Sequence, residues 1–186
     1  NVSAIGRGFQ MLRELGLINK FPRLVCAQAE RADPLYRSYK SGFKEFKAIQ
    51  AKKTLASAIQ IGDPVSFKKA IRILQEFNGI VEEATEDELA NAVGRANLTG
   101  LFCCPHTGVA LAVLKKLVNR GEISKKDRVI VISTANGLKF TDFLHNYHTA
   151  NIQGVNSEFT YAPVDLPAEY EKVRETIFKT IDGCVK

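Results

Sequence analysis

The sequence has few cysteines, and their arrangement would neither bind zinc nor build a disulfide framework. The four cysteines are Cys26, Cys103, Cys104 and Cys184, and no two of them have C-x-x-C spacing. His145 and His148 lie three residues apart, but no third ligand accompanies them. We therefore predict no metal site, and a reducing compartment fits the cysteine usage best.

Long apolar runs are also absent. No stretch approaches the roughly 18 uninterrupted apolar residues of a membrane span, and residues 1–8 lack the charged-then-apolar layout of a signal peptide. The sequence predicts a soluble protein that does not contact a membrane. Because it opens on Asn1 rather than Met, we expect it to be either processed or cut from something longer.

Known nucleic-acid-binding patterns are missing as well, although the formal charge is +6. Lysines cluster within residues 40–53 and acidic side chains within residues 82–88, but no helix-turn-helix, RNP, KH or zinc-finger pattern accompanies the basic cluster. We predict no nucleic-acid partner. A basic balance still suits an anionic small molecule.

Short apolar runs and amphipathic segments alternate along the chain. Strands are predicted for residues 23–28, 79–83 and 128–133, the last a nearly continuous β-branched run that suits a strand buried on both faces. Helices are predicted for residues 3–15, 64–77, 86–96, 108–120 and 168–181.

Two helix starts carry specific signals. Asp63 and Pro64 are typical of an N-cap and a first helical residue, with Val65 facing the core. Thr85 followed by Glu88 is a capping-box signature.

This alternation favours an α/β fold, a three-layer sandwich with a mostly parallel sheet. We predict an α/β domain over residues 1–139. Periodicity is lost after residue 140, so residues 140–186 are predicted to be a tail whose final helix packs on the outside of the domain.

Ligands in such sheets bind beyond the carboxyl ends of the strands, and three loops are candidates. They are residues 54–64, rich in small side chains and containing Gly62; residues 105–108, which open a helix; and residues 133–139, which follow a predicted strand. A turn at Asn136-Gly137, a close-packed connection at residues 54–64 and a hydrogen-bonded core role for His106 explain each loop without a ligand. The residues alone indicate an α/β ligand-binding domain.

Five sequence strings, in order along the chain, resemble the threonine synthases, the plant-type form in particular. They are VCAQAERADPLY (25–36), TLASAIQIGDPVS (54–66), NGIVEEATEDEL (78–89), CPHTGVAL (104–111) and STANGLKF (133–140). The resemblance implies a fold-type-II pyridoxal-phosphate enzyme, a lyase that converts O-phosphohomoserine and water to threonine and phosphate. It also implies that this chain is the carboxy-terminal portion and that the Schiff-base lysine precedes Asn1, so no catalytic residue is assigned here.

The resemblance assigns several residues of this chain to the site. Asn1 matches the last asparagine of the cofactor's phosphate loop, and Thr134 matches the hydroxyl partner of the pyridine nitrogen. Ala58, Ile59 and Gly62 match the loop lining the cofactor and substrate pocket. Asn136 stands where the family commonly has histidine, which leaves open a tuned site, a lineage difference or a less active copy.

The resemblance further implies a homodimer and a chloroplast location. Two alternatives stay open: a sister enzyme on the same fold, such as a threonine dehydratase, and a truncated homologue without catalysis. A keto-acid product from threonine would favour the first, and the missing lysine is the feature that supports the second.

Overall fold

The computed structural model describes residues 1–184 as an α/β fold. Its strands are β1 (Val25–Ala29) and β2 (Ile80–Ala84). Its helices are α1 (Val2–Glu14), α2 (Pro34–Lys40), α3 (Phe67–Glu76), α4 (Glu86–Asn97), α5 (Pro105–Asn119), α6 (Thr141–His148) and α7 (Tyr170–Cys184).

Strands β1 and β2 are parallel neighbours, as the alternating pattern predicted. Their register runs from Val25 opposite Ile80 to Ala29 opposite Ala84. The connection between them contains α2 and α3, and a parallel pair needs a long crossover of this kind. Two of the three predicted strands are therefore confirmed, each within two residues of its predicted bounds.

Helices cover both faces of this small sheet. Successive strand residues point to opposite sides, so apolar residues of β2 need packing partners on each face. Ile80 and Ala84 belong to a buried cluster with Leu89 of α4 and Val113 of α5. Val81, between them, belongs to a second buried cluster that includes Leu35 of α2 and Leu74 of α3. The predicted layering of helices on both sides of a parallel sheet is confirmed.

Helix α3 begins later than the sequence signal predicted, and that prediction was wrong in one respect. Its N-cap is Ser66 rather than Asp63, and Val65, predicted to be buried, is 100% exposed. The amide of Phe67 donates to the Pro64 carbonyl in a turn, and its ring stacks on Phe46 at 3.9 Å between centroids. A tertiary aromatic contact thus accompanies the later helix start.

Helices α4 and α5 pack closely against each other. The capping box at the start of α4 is formed, with the Thr85 hydroxyl accepting from the Glu88 amide and the Glu88 carboxylate accepting from the Thr85 amide. Helix α5 begins at Pro105, three residues before its predicted start. A Cβ placed on Gly108 would collide with the Leu89 carbonyl oxygen, so this glycine permits the close approach of the two helices.

The third predicted strand, residues 128–133, is not formed, and this prediction is corrected. The segment is irregular and pairs with no strand in the described part of the chain, and Ile130 is 90% exposed. A strand needs a neighbour for its backbone groups, and the sheet in the described part of the chain comprises β1 and β2 alone. A β-branched composition favours extended backbone but does not supply that neighbour.

The tail contains one helix that the sequence did not predict. Helix α6 packs on α4 through Tyr147, which is fully buried and donates from its hydroxyl to Asn91 Oδ1 at 2.7 Å. The final helix, α7, is confirmed at nearly its predicted position, although Tyr170 and Ile177 on it are exposed. The division of the chain at residue 139 and the packing of α7 stay predictions. Across residues 1–184, no helix is both long and apolar enough to span a membrane.

Candidate functional site

The three loops selected from the sequence meet at the amino-terminal end of α5. The Ala58 amide, in the first loop, donates to His106 Nε2 at 2.9 Å. The Thr107 hydroxyl, in the second loop, lies 3.1 Å from the Ser133 hydroxyl of the third. The cluster therefore joins residues as far apart in the chain as Ala58 and Thr134, which are linked through His106 and Cys104.

A buried carboxylate fixes the beginning of the first loop. Glu86, the first residue of α4, accepts from the Thr54 hydroxyl at 2.6 Å and from the Leu55 amide at 2.7 Å. Arg31 Nε lies 4.0 Å from the same carboxylate. Glu86 thus anchors the segment that presents Ala58.

The imidazole of His106 connects the first loop to the thiol of Cys104. Because Nε2 accepts the Ala58 amide, the ring proton of the neutral histidine belongs on Nδ1. Nδ1 lies 3.4 Å from Cys104 Sγ, and the edge of the ring faces Phe140 at 5.2 Å between centroids. The interpretation of His106 as a hydrogen-bonded histidine agrees with this geometry.

Cys104 occupies the centre of the cluster, and the sequence analysis missed it. It is the N-cap residue of α5 and is 0% exposed. Its sulfur lies 3.4 Å from Thr107 Oγ1 and 3.9 Å from Thr134 Oγ1, besides its contact with His106. Burial acts to raise the pKa of the thiol, but hydrogen bonds from Thr107, His106 and Thr134 outweigh it and lower the pKa to about 6.

The other two cysteines with described thiols differ from Cys104. Burial raises the pKa of Cys103 to about 11, and burial does the same for Cys26. Neither thiol has hydroxyl and imidazole neighbours that lower its pKa, as Cys104 has. A cysteine immediately before a proline that opens a helix was the sequence signal available for Cys104.

The third loop exposes two hydroxyl residues and then turns. Ser133 and Thr134 are exposed, although both reach into the buried cluster. Asn136 Oδ1 accepts from the Leu138 amide, and the Gly137 amide donates to the Phe102 carbonyl. The Asn-Gly turn is therefore present, and it follows directly after the exposed hydroxyls.

The remaining residues assigned by resemblance have separate surroundings. Ile59 packs against the core cluster on the α5 side of the sheet. Gly62 is buried, and its carbonyl accepts from the Ile49 amide; an added Cβ would collide with the Ile49 carbonyl oxygen. This backbone contact explains why a glycine occupies position 62. The role of Ile59 and Gly62 in lining the pocket stays a prediction.

Asn1 lies on the other side of the sheet from this cluster. It is the exposed N-cap of α1, which packs on α3, whereas α5 covers the opposite face. Its side chain makes no capping hydrogen bond. The structure does not bring Asn1 into hydrogen-bonding contact with Thr134, so its assignment to the phosphate loop also stays a prediction.

The two histidines considered as metal ligands lie on α6. His148 is buried and stacks on Tyr161 at 3.6 Å, and its Nδ1 accepts from the Tyr161 amide. Burial lowers the pKa of this imidazole. Within residues 1–182, whose side chains the structure describes, no group of three or more His, Cys, Asp or Glu side chains is arranged to hold a metal ion.

Comparison with known proteins gives a family match over most of the chain. Residues 1–135 match the family described as "Pyridoxal-phosphate dependent enzyme". The match includes the first two loops that meet at Cys104 completely, and the third loop as far as Ala135.

Several curated relatives carry one name. The chain is 52% identical to "Threonine synthase 2, chloroplastic" of Arabidopsis thaliana over 95% of this chain and 34% of the relative. It is 33% identical to the "Threonine synthase" of Methanocaldococcus jannaschii over 76% of this chain and 35% of that protein. It is 34% identical to the "Threonine synthase" of Methanosarcina acetivorans over 75% of this chain and 35% of that protein. The chain thus spans about a third of the length of these relatives.

Proposed function

The chain belongs to the family of pyridoxal-phosphate-dependent enzymes, and from that premise we propose that it forms one wall of the active site of a threonine synthase. The reaction is the conversion of O-phosphohomoserine and water to threonine and phosphate. The observation that carries the proposal is the convergence of Ala58, His106 and Thr134 on Cys104, in a chain 52% identical to a relative with this name. The three loops come from three of the five strings that resemble the family.

The residues at this cluster fit the cofactor. Thr134 is exposed on one side and tied to a buried polar network on the other, as a hydroxyl that must meet a ring nitrogen requires. Ala58 is also exposed; its amide donates to His106, and its side chain is small enough for a flat ring to approach. When bound, pyridoxal phosphate supplies the electron sink for chemistry at the substrate's carbon atoms.

Each residue of the wall then has a task. Thr134 would contact the ring nitrogen of the bound cofactor and orient the ring. Ala58 and Ile59 line the pocket, with His106 holding the backbone at Ala58 and Glu86 holding the start of the same loop. Binding energy and orientation, rather than proton transfer, are what we assign to this part of the protein.

The covalent and anionic parts of the site are proposed to lie mainly outside these 186 residues. The Schiff-base lysine is one of them. The assignment of Asn1 to the phosphate loop rests on the resemblance, since Asn1 lies across the sheet from Thr134; the first backbone hydrogen bond of α1 runs from the Ile5 amide to the Asn1 carbonyl. The amides before Ile5 are then free to bind a phosphate.

We extend the proposal to location and assembly. The Arabidopsis relative is named chloroplastic, and we propose the chloroplast stroma for this protein, with a homodimer as the complete form. Tagging the full-length protein and fractionating cells tests the location, and recovery in the cytosol would count against it.

The complete protein, loaded with pyridoxal phosphate, tests the activity. We expect phosphate release from O-phosphohomoserine, and Thr134→Val to lower its kcat/KM by about tenfold or more through loss of one positioned hydrogen bond. Thr99→Val is the matched control, because its hydroxyl bonds the Ala96 carbonyl at the end of α4. No phosphate release from protein that still binds the cofactor would contradict the proposal, and a keto acid formed from threonine would favour a dehydratase.

A further inference from the structure

The basic cluster within residues 40–53 has no task in the proposed function, and its last residues border a cavity. We propose that this cavity binds a phosphate group, either free phosphate or the phosphate of a small monoester. The inference goes beyond the proposed function, because it concerns a second site that includes neither Thr134 nor Cys104.

The cavity lies at the carboxyl end of β1, the end at which parallel sheets bind their ligands. Its volume is about 460 Å³, and Glu30 in its wall directly follows the last residue of the strand. The walls come from the turn after β1, from α2 and from the segment that precedes the first loop of the candidate site. The lining residues are Glu30, Arg31, Arg37, Ile49, Gln50 and Lys52.

Hydrogen bonds to backbone groups hold the walls of the cavity together. The Lys52 amide donates to the Arg31 carbonyl at 2.8 Å, and Arg31 Nη1 donates to the Lys53 carbonyl at 2.9 Å. The Ile49 amide donates to the Gly62 carbonyl at 2.9 Å. Residues that are distant in sequence are thus fixed around one cavity, which does not depend on flexible side chains for its shape.

The guanidinium of Arg37 is oriented by a buried carboxylate and keeps donors for a ligand. Its Nε lies 2.9 and 3.0 Å from the two carboxylate oxygens of Asp33, which is buried. No residue in the described part of the chain accepts a hydrogen bond from the Nη atoms of Arg37, and its side chain is 62% exposed. Paired N–H groups of this kind match two oxygens of a phosphate.

The charges of the lining favour a compact anion over a neutral ligand. The lining supplies three cations and the single carboxylate of Glu30. Asp33 and Glu86 each lie beside one of the two arginines, which reduces the excess of positive charge. All three cations are exposed. Exposed charge pairs are weak individually, so we expect an affinity in the millimolar range.

The cavity adjoins the loop that presents Ala58. Lys53, whose carbonyl is held by Arg31, directly precedes Thr54 in the chain. The Glu86 carboxylate accepts from the Thr54 hydroxyl and lies 4.0 Å from Arg31 Nε. The cavity and the first loop of the candidate site therefore share one buried carboxylate.

The test uses the complete protein loaded with pyridoxal phosphate, so that the phosphate site of the cofactor is filled. Exposed lysines are acylated with an amine reagent, and mass spectrometry follows the rate at each lysine. Millimolar inorganic phosphate should slow the acylation of Lys52 severalfold, whereas chloride at the same ionic strength should not. Lys126, in a turn after α5, is the internal control and should react at an unchanged rate. An unchanged rate at Lys52 would overturn the proposal.

Two substitutions in the cavity should act in opposite directions. Arg37→Gln removes the oriented guanidinium and should raise the phosphate concentration that half-protects Lys52 by about tenfold. Glu30→Gln removes a repelling charge and should lower that concentration. Arg7→Gln, in an exposed ion pair on α1, is the matched control for loss of an arginine and should have no effect.

Equal half-protecting concentrations in wild type and in the two cavity variants would show a general salt effect and contradict the proposal. Glu30 is exposed, so Glu30→Gln alone decides the outcome if Arg37→Gln does not fold.

A comparison of ligands separates the two sources of the phosphate group. Glycerol phosphate, a monoester, is compared with inorganic phosphate, and acetate is the carboxylate control. Stronger protection of Lys52 by the monoester supports a phosphorylated metabolite as the occupant, and protection by inorganic phosphate that is at least as strong supports free phosphate. Protection by acetate equal to that by phosphate would contradict a phosphate site. Acylation needs no turnover, so absence of phosphate release from O-phosphohomoserine would contradict the proposed function alone.

Discussion

The layered core around β1 and β2 and the exposed segment of residues 128–133 have similar apolar sequences but different structures. In the core, Ile80 and Val81 are almost completely buried between helices that the same chain supplies. In residues 128–133, Ile130 is 90% exposed although the run is equally rich in β-branched residues. The comparison teaches that an apolar pattern becomes a buried strand only where the chain also provides the neighbours.

The largest expected effect tests this difference directly in the 186-residue chain. Leu117→Ala, at a side chain with 0% exposure in α5, should lower the free energy of unfolding by about 2–5 kcal/mol. Ile130→Ala should change it by no more than about 0.5 kcal/mol, because little area is buried there. Urea unfolding measures both. Equal losses at the two positions would show that residues 128–133 are buried after all.

A smaller effect is expected from two glycine substitutions in helices. Gly108→Ala should destabilise the protein by about 1–3 kcal/mol, because the new Cβ would meet the Leu89 carbonyl of α4. Gly8→Ala in α1 is the matched control, since a Cβ there meets nothing within 4 Å. It should stabilise by about 0.5–1 kcal/mol through helix propensity. Thermal unfolding of both variants checks the opposite signs, and a stabilising Gly108→Ala would contradict the tight α4–α5 contact.

The smallest effect concerns pH and a carboxyl group at the end of β2. Burial, followed by a hydrogen bond and charge repulsion from Asp33 and the charge of Glu30, raises the pKa of Glu83 to about 7 despite the nearby ammonium of Lys116. A carboxyl whose pKa is raised by folding stabilises the native state below its unfolded pKa. That contribution is lost as the pH rises through the folded pKa.

We therefore expect the unfolding free energy of wild type to fall, relative to that of Glu83→Gln, between pH 5 and pH 7.5. Denaturant unfolding at the two pH values gives the difference. The variant serves as its own control for other titrating groups. If the unfolding free energy of wild type instead rose with pH relative to that of Glu83→Gln, Glu83 would be ionised in the folded protein and the prediction would be wrong.

The elements that could be predicted from the sequence depend on neighbouring residues in the chain. The capping box at Thr85 and Glu88 formed as predicted, because both partners lie within one helical turn. Strands β1 and β2 were predicted from short apolar runs ended by polar residues. Val65 was misplaced because a local Asp-Pro signal gave way to a turn and the stacking of Phe67 on Phe46.

The elements that could not be predicted depend on distant partners. Helix α6 is stabilised by Tyr147, whose hydroxyl bonds Asn91 and whose ring packs where Gly94 leaves room. Nothing within residues 141–148 reveals those partners. In the candidate site, the loops containing Ala58 and Thr134 were among the candidates selected from the sequence, and the structure brings them together, but the thiol that joins them was missed. Cys104 is defined by contacts with residues as far away as Thr134, which no local spacing encodes.

The most direct test of the account compares the complete protein with the 186-residue chain, each supplied with pyridoxal phosphate and O-phosphohomoserine. We predict phosphate release from the complete protein and none from the chain alone, which would also be poorly soluble because apolar side chains such as Ile130 are uncovered. Turnover by the chain alone, with the visible absorption of a cofactor bound to one of its own lysines, such as Lys139, would contradict the account.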